Sequence, residues 1–162
     1  MARQGAALAA YLSVRQTMMD LDDLRSRAER GSLPAQTILG ISYLHGYDGP
    51  RDPVQALRWL TVAAERGASR AQAWLGTMYE AGLGVPVDVT RARELYESSA
   101  SRGEFFGCIF LARLFTSGRG GSKDEAAAAQ WYGRAVGMNV EQCPEVDEAR
   151  SYLASNRGAA EQ

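Results

Sequence analysis

The chain has 162 residues and a mass of 17.6 kDa, with 46% hydrophobic and 23% charged residues, which permits one continuous core and excludes general disorder. Its 18 basic and 19 acidic residues leave a formal net charge of -1, too little to build the cationic field that nucleic acid or an anionic membrane requires. Two cysteines, Cys108 and Cys143, are too few for a disulfide-stapled secreted scaffold, and no run reaches the roughly 18 apolar residues of a membrane span.

At the start of the chain, Arg3 precedes a mildly apolar stretch from Ala6 to Val14. It can be read as a secretory signal or as a helix that begins the fold. The stretch is mostly alanine and shows no convincing cleavage site before Arg15-Gln16, which favours a helix over Ala6 to Met19. The same argument favours a cytoplasmic protein over a periplasmic or secreted one. Asp20 to Arg30 follows as a lone second helix, so residues 1–27 are expected to cap the N-terminal end.

The chain then repeats itself. Ala28 to Gly40 reads AERGSLPAQTILG and Ala64 to Gly76 reads AERGASRAQAWLG, 36 residues on; Ala100-Ser101-Arg102-Gly103 and Leu111-Ala112 mark a looser third copy. A fixed period in this range signals stacked structural repeats. Aligned at 36, Leu39, Leu75 and Leu111 share a column, as do Tyr43, Tyr79 and Phe115, and Gly46, Gly82 and Gly118. Asp52, Asp88 and Asp124 follow, then Trp59, Leu95 and Trp131, beside Leu60, Tyr96 and Tyr132.

Each copy holds two helices. Ala35, Ile38, Leu39, Ser42 and Tyr43 form one amphipathic stripe, and Gly46 stands where a C-terminal cap belongs. In the second helix Asp52 is an N-cap with Pro53 at the first helical position, and Ala56, Trp59, Leu60 and Ala63 form the buried stripe. Gly67 ends it, with Asn139 in the same role later. The small column of Gly40, Gly76 and Ala112 should let the paired helices approach closely. Helices are expected at 33–45 and 53–66, 69–81 and 89–102, and 105–117 and 125–138. The units are 28–63, 64–99 and 100–138, followed by a C-terminal capping helix within 139–156, a worn fourth first-helix, and a frayed tail over 157–162.

The order Ala-x-x-x-Leu-Gly-x-x-Tyr-x-x-Gly-x-Gly-Val-x-x-Asp-x-x-x-Ala, from Ala71 to Ala92, resembles the Sel1-like repeat, a relative of the tetratricopeptide repeat with a longer loop between its helices. The resemblance covers about Ala28 to Met138. It implies an all-α fold, an α/α solenoid of three helix pairs with capping helices at both ends. Copy one departs from the pattern at Gly46-Tyr47-Asp48-Gly49-Pro50 and copy three at Gly120-Gly121-Ser122, both in the loop.

Little in the chain points to chemistry. His45 is the only histidine and sits near a helix end with no metal-spaced Cys, Asp or Glu cluster, which favours a structural or surface role over catalysis. Cys108 and Cys143 read as two small buried apolar residues or as a redox pair, the first being favoured. Disulfides in cysteine-rich members of the family tie the two helices of one repeat, and this spacing differs. Gly118 to Lys123 lacks the adjacent Gly-Lys and the preceding strand of a phosphate loop. Trp59, Trp74, Trp131 and the tyrosines fall at core spacing. No cofactor, metal or catalytic residue is assigned, and a hydrolase is the least favoured reading.

The resemblance implies that first helices line a concave face on which protein or peptide partners bind. Turning away from the buried stripe selects Thr37, Ile41 and Leu44 in copy one, Ala73, Thr77 and Glu80 in copy two, and Ile109, Arg113 and Thr116 in copy three, with Phe106 as an anchor. These columns do not repeat, as expected where a scaffold is shared and its contacts are not. The function expected is a non-catalytic protein-binding module; some stand-alone bacterial relatives are immunity proteins that neutralise a toxin, and others are adaptors in signalling or secretion.

Overall fold

A computed structural model describes residues 21–47, 49–138, 140 and 143–159, and among these it contains eight α-helices and no strand. They are α1 (Leu21–Glu29), α2 (Leu33–His45), α3 (Pro53–Glu65), α4 (Ser69–Ala81), α5 (Val89–Ser101), α6 (Phe105–Ser117), α7 (Glu125–Gly137) and α8 (Pro144–Ala159). The expected helix over Ala6 to Met19 and the cap at Asn139 lie outside the described residues. The last helix continues to Ala159, past the expected end at residue 156.

The repeated columns are the structural joints. Asp52 accepts from the amides of Val54 and Gln55 at 3.1 and 3.0 Å, Asp88 from Arg91 at 2.9 Å and Asp124 from Ala127 at 2.9 Å, so each second helix has a side-chain N-cap. The amide of each of these aspartates donates back to Tyr43, Tyr79 or Phe115 at 2.9 to 3.0 Å, closing every intra-repeat loop alike. Gly46, Gly82 and Gly118 end the first helices at φ of 70 to 71°, where a Cβ would be strained. The Arg-Gly pair that recurs at the ends of α1, α3 and α5 has its own use. Nη1 of Arg66 donates to the Gly31 carbonyl and Nη1 of Arg102 to the Gly67 carbonyl, both at 2.8 Å, tying each repeat to the one before.

Helix pairs meet over the small column. A Cβ on Gly40 would lie 2.6 Å from Leu60, and one on Gly76 would lie 2.5 Å from the Tyr96 ring. Ala56, Leu60 and Ala63, with Ala92 and Tyr96, and Ala128, Tyr132 and Ala135, are buried at these seams. Trp59 is also buried, packed with Leu24 and Ala28 of α1 and with Ala35 and Leu39 of α2. Trp131 differs from expectation: it is only half-buried, with Arg134 lying over its ring. Ile38 and Tyr43, assigned to the stripe, are half-buried as well.

Each helix packs on its chain neighbours. In addition α2 touches α4 and α4 touches α6, while no comparable contact joins α3 to α5 or α5 to α7. The first helices therefore line the tighter, inner side of the stack, as a curved solenoid requires.

Candidate functional site

The inner face is built from α2, α4 and α6, and its exposed columns are rotated from those read in the sequence. Thr37 and Leu44 are each 6% exposed, and Ala73 and Ile109 are 0% exposed. These four belong to the interior of the stack and not to its open face. The physical reason is that a first helix is covered on more than one side: its own second helix, the preceding second helix and the adjacent first helix together bury a wide arc. A single-stripe reading places the open face one position too far round. Ile41, Thr77, Glu80, Phe106, Arg113 and Thr116 remain half-buried.

What the structure gathers on this face is a run of aromatic rings crossing all three first helices. The ring of His45 stacks on Tyr47 at 5.1 Å between centroids and meets Trp74 edge-on at 4.9 Å. Trp74 in turn lies 5.2 Å from Phe106 and 5.4 Å from Phe110. Arg70 lies over Phe106 and Arg113 over Phe110, cation–π placements that keep both guanidinium groups against the rings. The sequence reads Trp74 as core and His45 as structural or surface; in the structure both border the inner face. Neither recurs in its repeat column, where Ile38 and Phe110 match Trp74 and Ala81 and Ser117 match His45. That non-repetition was the signal that could have found them.

Two ring nitrogens in this run, Nε2 of His45 and Nε1 of Trp74, are buried without a hydrogen-bond partner. Burial, and then the Arg51 charge, lower the His45 pKa, so the imidazole is held toward its neutral form.

Carboxylates fix the outer part of the face. Glu80 accepts from the Tyr96 hydroxyl at 2.8 Å and from Nη1 of Arg119 at 2.6 Å. Glu148 of α8 accepts from the Tyr132 hydroxyl at 2.8 Å and from Nε of Arg113 at 2.9 Å, with a second bond from Nη2. Burial and these carboxylates push both tyrosines well above the ordinary phenol range. Arg113 and Glu80 are thus committed to holding α4, α6 and α8 in register. The hydroxyls of Thr77 and Thr116 donate to Trp74 and Arg113 carbonyls of their own helices at 2.7 and 2.9 Å. Ile41, Phe106 and the rings of Trp74 and His45 are the half-buried side chains of the face with no such internal duty.

No group of three His, Cys, Asp or Glu side chains converges among the described residues. Both cysteines are free thiols. Cys108 is buried, and Cys143 donates to Glu145 at 2.6 Å. Burial raises both thiols, with the Glu145 bond helping to push Cys143 up to about 11. The glycine-rich loop after α6 is used for packing: a Cβ on Gly120 would lie 2.9 Å from Val89, and Lys123 pairs with Glu125 at 2.7 Å.

Helix pairs in series, a shared set of joints and a non-repeating inner face define an α-solenoid repeat protein. The Sel1 repeat model matches residues 33–67, 69–104 and 106–139, and the chain belongs to the Sel1 repeat family. A crystal structure of a Sel1 repeat protein from Oxalobacter formigenes is similar at 38% identity and a TM-score of 0.66, over 85% of this chain and 99% of that one. A protective antigen present in uropathogenic Escherichia coli strains, which displays an SLR fold, is 31% identical with a TM-score of 0.68. That match covers 77% of this chain and 27% of the antigen. Helicobacter pylori cysteine rich protein B shares the fold at 21% identity and a TM-score of 0.59, over 76% of this chain and 93% of that one. No curated protein sequence matches. Sel1 repeat proteins generally mediate protein–protein interaction, and no catalytic family is indicated.

Proposed function

We propose that this chain is a non-catalytic binding module that holds a protein partner on its inner face, with Trp74, Phe106 and Ile41 as apolar anchors. The observation that carries the reading is the aromatic run from His45 through Trp74 to Phe106 and Phe110, half-buried for most of its length and drawn from three helices whose residues at these positions differ from copy to copy. Rigid aromatic side chains flanked by arginine are the residue types that dominate binding energy at protein interfaces. The narrower form of the proposal is an immunity protein, whose partner is a toxin that it neutralises by occupying it.

The test pairs Phe106→Ala with Thr77→Arg. Affinity capture from the native host, read by mass spectrometry, identifies a partner with the parent chain. Titration calorimetry then measures the double variant, which should bind at least about 30-fold more weakly, corresponding to ~2 kcal/mol at a contact anchor, with an unchanged helical signal. Full affinity in that variant moves the site off the inner face. Protection of cells from the captured protein by the parent and not by the variant supports the immunity form; no protection refutes it.

A further inference from the structure

The last helix repeats the first-helix pattern. Ala149, Leu153 and Ala154 of α8 stand in the places of Gly107, Leu111 and Ala112 of α6. Ala149 is fully buried against the preceding second helix, as Ala35 and Ala71 are in their repeats. The equivalence extends to the position facing the end of that second helix. Gln36 donates to the Ala28 carbonyl, Gln72 to Ala64 and Cys108 to Ala100; Arg150 stands in this position, and Val136 in that of the three alanines.

In all three repeats a second helix then covers this surface. Leu39, Leu75 and Leu111 are 0 to 5% exposed beneath it. In α8, among the described residues, nothing covers it: Leu153 is half-exposed and Arg150 and Ala154 are exposed. Val136, Arg150, Leu153 and Ala154 line an open hollow of ≈ 210 Å³. The repeats show what fills such a hollow. Trp59 packs on Leu24, Ala28, Ala35 and Leu39, and the corresponding residues here are Tyr132, Val136, Ala149 and Leu153. Leu60 lies over Gly40, whose counterpart is Ala154.

One feature breaks the pattern, and it is a charge. Ser98 of α5 donates to Gln72 at 3.1 Å, so the residue at the Ser98 place of a covering helix faces residue 150. Among the described residues the guanidinium of Arg150 has only an exposed Asp147 at 3.8 Å, which leaves it open to a carboxylate from a covering helix.

We propose that the open face of α8 docks an amphipathic helix of a partner protein, in the way a fourth second-helix would. A large apolar side chain of that helix fills the hollow between Val136 and Leu153, and a carboxylate three residues further along meets Arg150. This surface lies apart from the inner face and does not depend on the reading given for it.

The probe is a synthetic helix-stapled peptide of residues 53–66 carrying Val62→Glu, which presents Trp59 to the hollow and the new carboxylate to Arg150. Its binding to the full chain is followed by fluorescence anisotropy. Saturable binding is expected, weakened about tenfold by Arg150→Glu in the protein, or by Trp59→Ala in the peptide. A peptide with Val62→Lys should recover the affinity of the Arg150→Glu protein. Arg150 is exposed, so its replacement leaves the fold intact, which circular dichroism checks. The Phe106→Ala, Thr77→Arg protein should bind the peptide as the parent does, separating this surface from the inner face. No saturable binding, or binding indifferent to Arg150→Glu, overturns the proposal; so does loss in the inner-face variant with none in Arg150→Glu.

Discussion

Replacing Gly76 by alanine tests the packing that joins the two helices of the second repeat. An ideal Cβ there lies 2.5 Å from Cε1 and 2.8 Å from Cδ1 of Tyr96, well inside van der Waals contact. The ring cannot simply swing away, because it is fully buried and its hydroxyl is bonded to Glu80, which Arg119 also holds. Overpacking of this kind costs about 1–3 kcal/mol, and losing the bond to a charged acceptor would add about 1.5–3 kcal/mol. Against this, alanine gains about 1 kcal/mol of helix propensity over glycine. The net expectation is a loss of roughly 1.5–5 kcal/mol, or several degrees or more in Tm for a chain of this size. Gly133 is the control: it lies in the exposed middle of α7 with nothing within 4 Å of its Cβ position, so the same substitution should stabilise by up to about 1 kcal/mol. Urea and thermal unfolding followed by circular dichroism read both. A Gly76→Ala chain as stable as the parent would refute the argument. The third repeat shows why the column can hold a methyl group elsewhere. Ala112 sits opposite Tyr132, whose hydroxyl is drawn to Glu148 on α8 and not to its own first helix.

Trp59→Ala should cost about 3–5 kcal/mol in urea unfolding, as expected for a large buried side chain, whereas the half-exposed Trp131 should cost clearly less; equal losses would contradict the burial difference. The lowered pKa of His45 means that the folded protein binds its proton less readily than the unfolded chain does. Stability should therefore fall as pH drops through the ordinary histidine range around 6.5 and level off below the folded pKa. His45→Gln should flatten that part of the profile, and an unchanged slope would assign it to other groups. Cys143, with its thiol pushed up to about 11, should alkylate with iodoacetamide at pH 8 more slowly than a free thiol of pKa about 8.5, and Cys108 only on unfolding. Rapid labelling of either in the native chain would show that burial does not protect it.

The local joints of this protein were legible in its sequence because each depends on a residue type acting on its own backbone. An aspartate before Pro53, Val89 or Glu125 caps whatever helix follows, and Gly46, Gly82 and Gly118 end helices by taking up positive φ. Repetition at a fixed spacing then named the helix pairs, and six of the eight helices begin at the residues the pattern marked. The inner face was another matter. Which arc of α2, α4 or α6 stays open depends on how many neighbours surround it. That number comes from the curvature of the whole stack, in which α2, α4 and α6 approach one another more closely than α3, α5 and α7 do. Thr37, Leu44, Ala73 and Ile109 looked outward from a single helix and are buried once two further helices close on them. Trp74 looked like core and became part of the inner face for the same reason. Long-range pairs such as Arg113 with Glu148, or Glu80 with Arg119, bring together residues of different repeats. No periodicity announces such pairs; the superhelical stacking of one repeat on the next decides them.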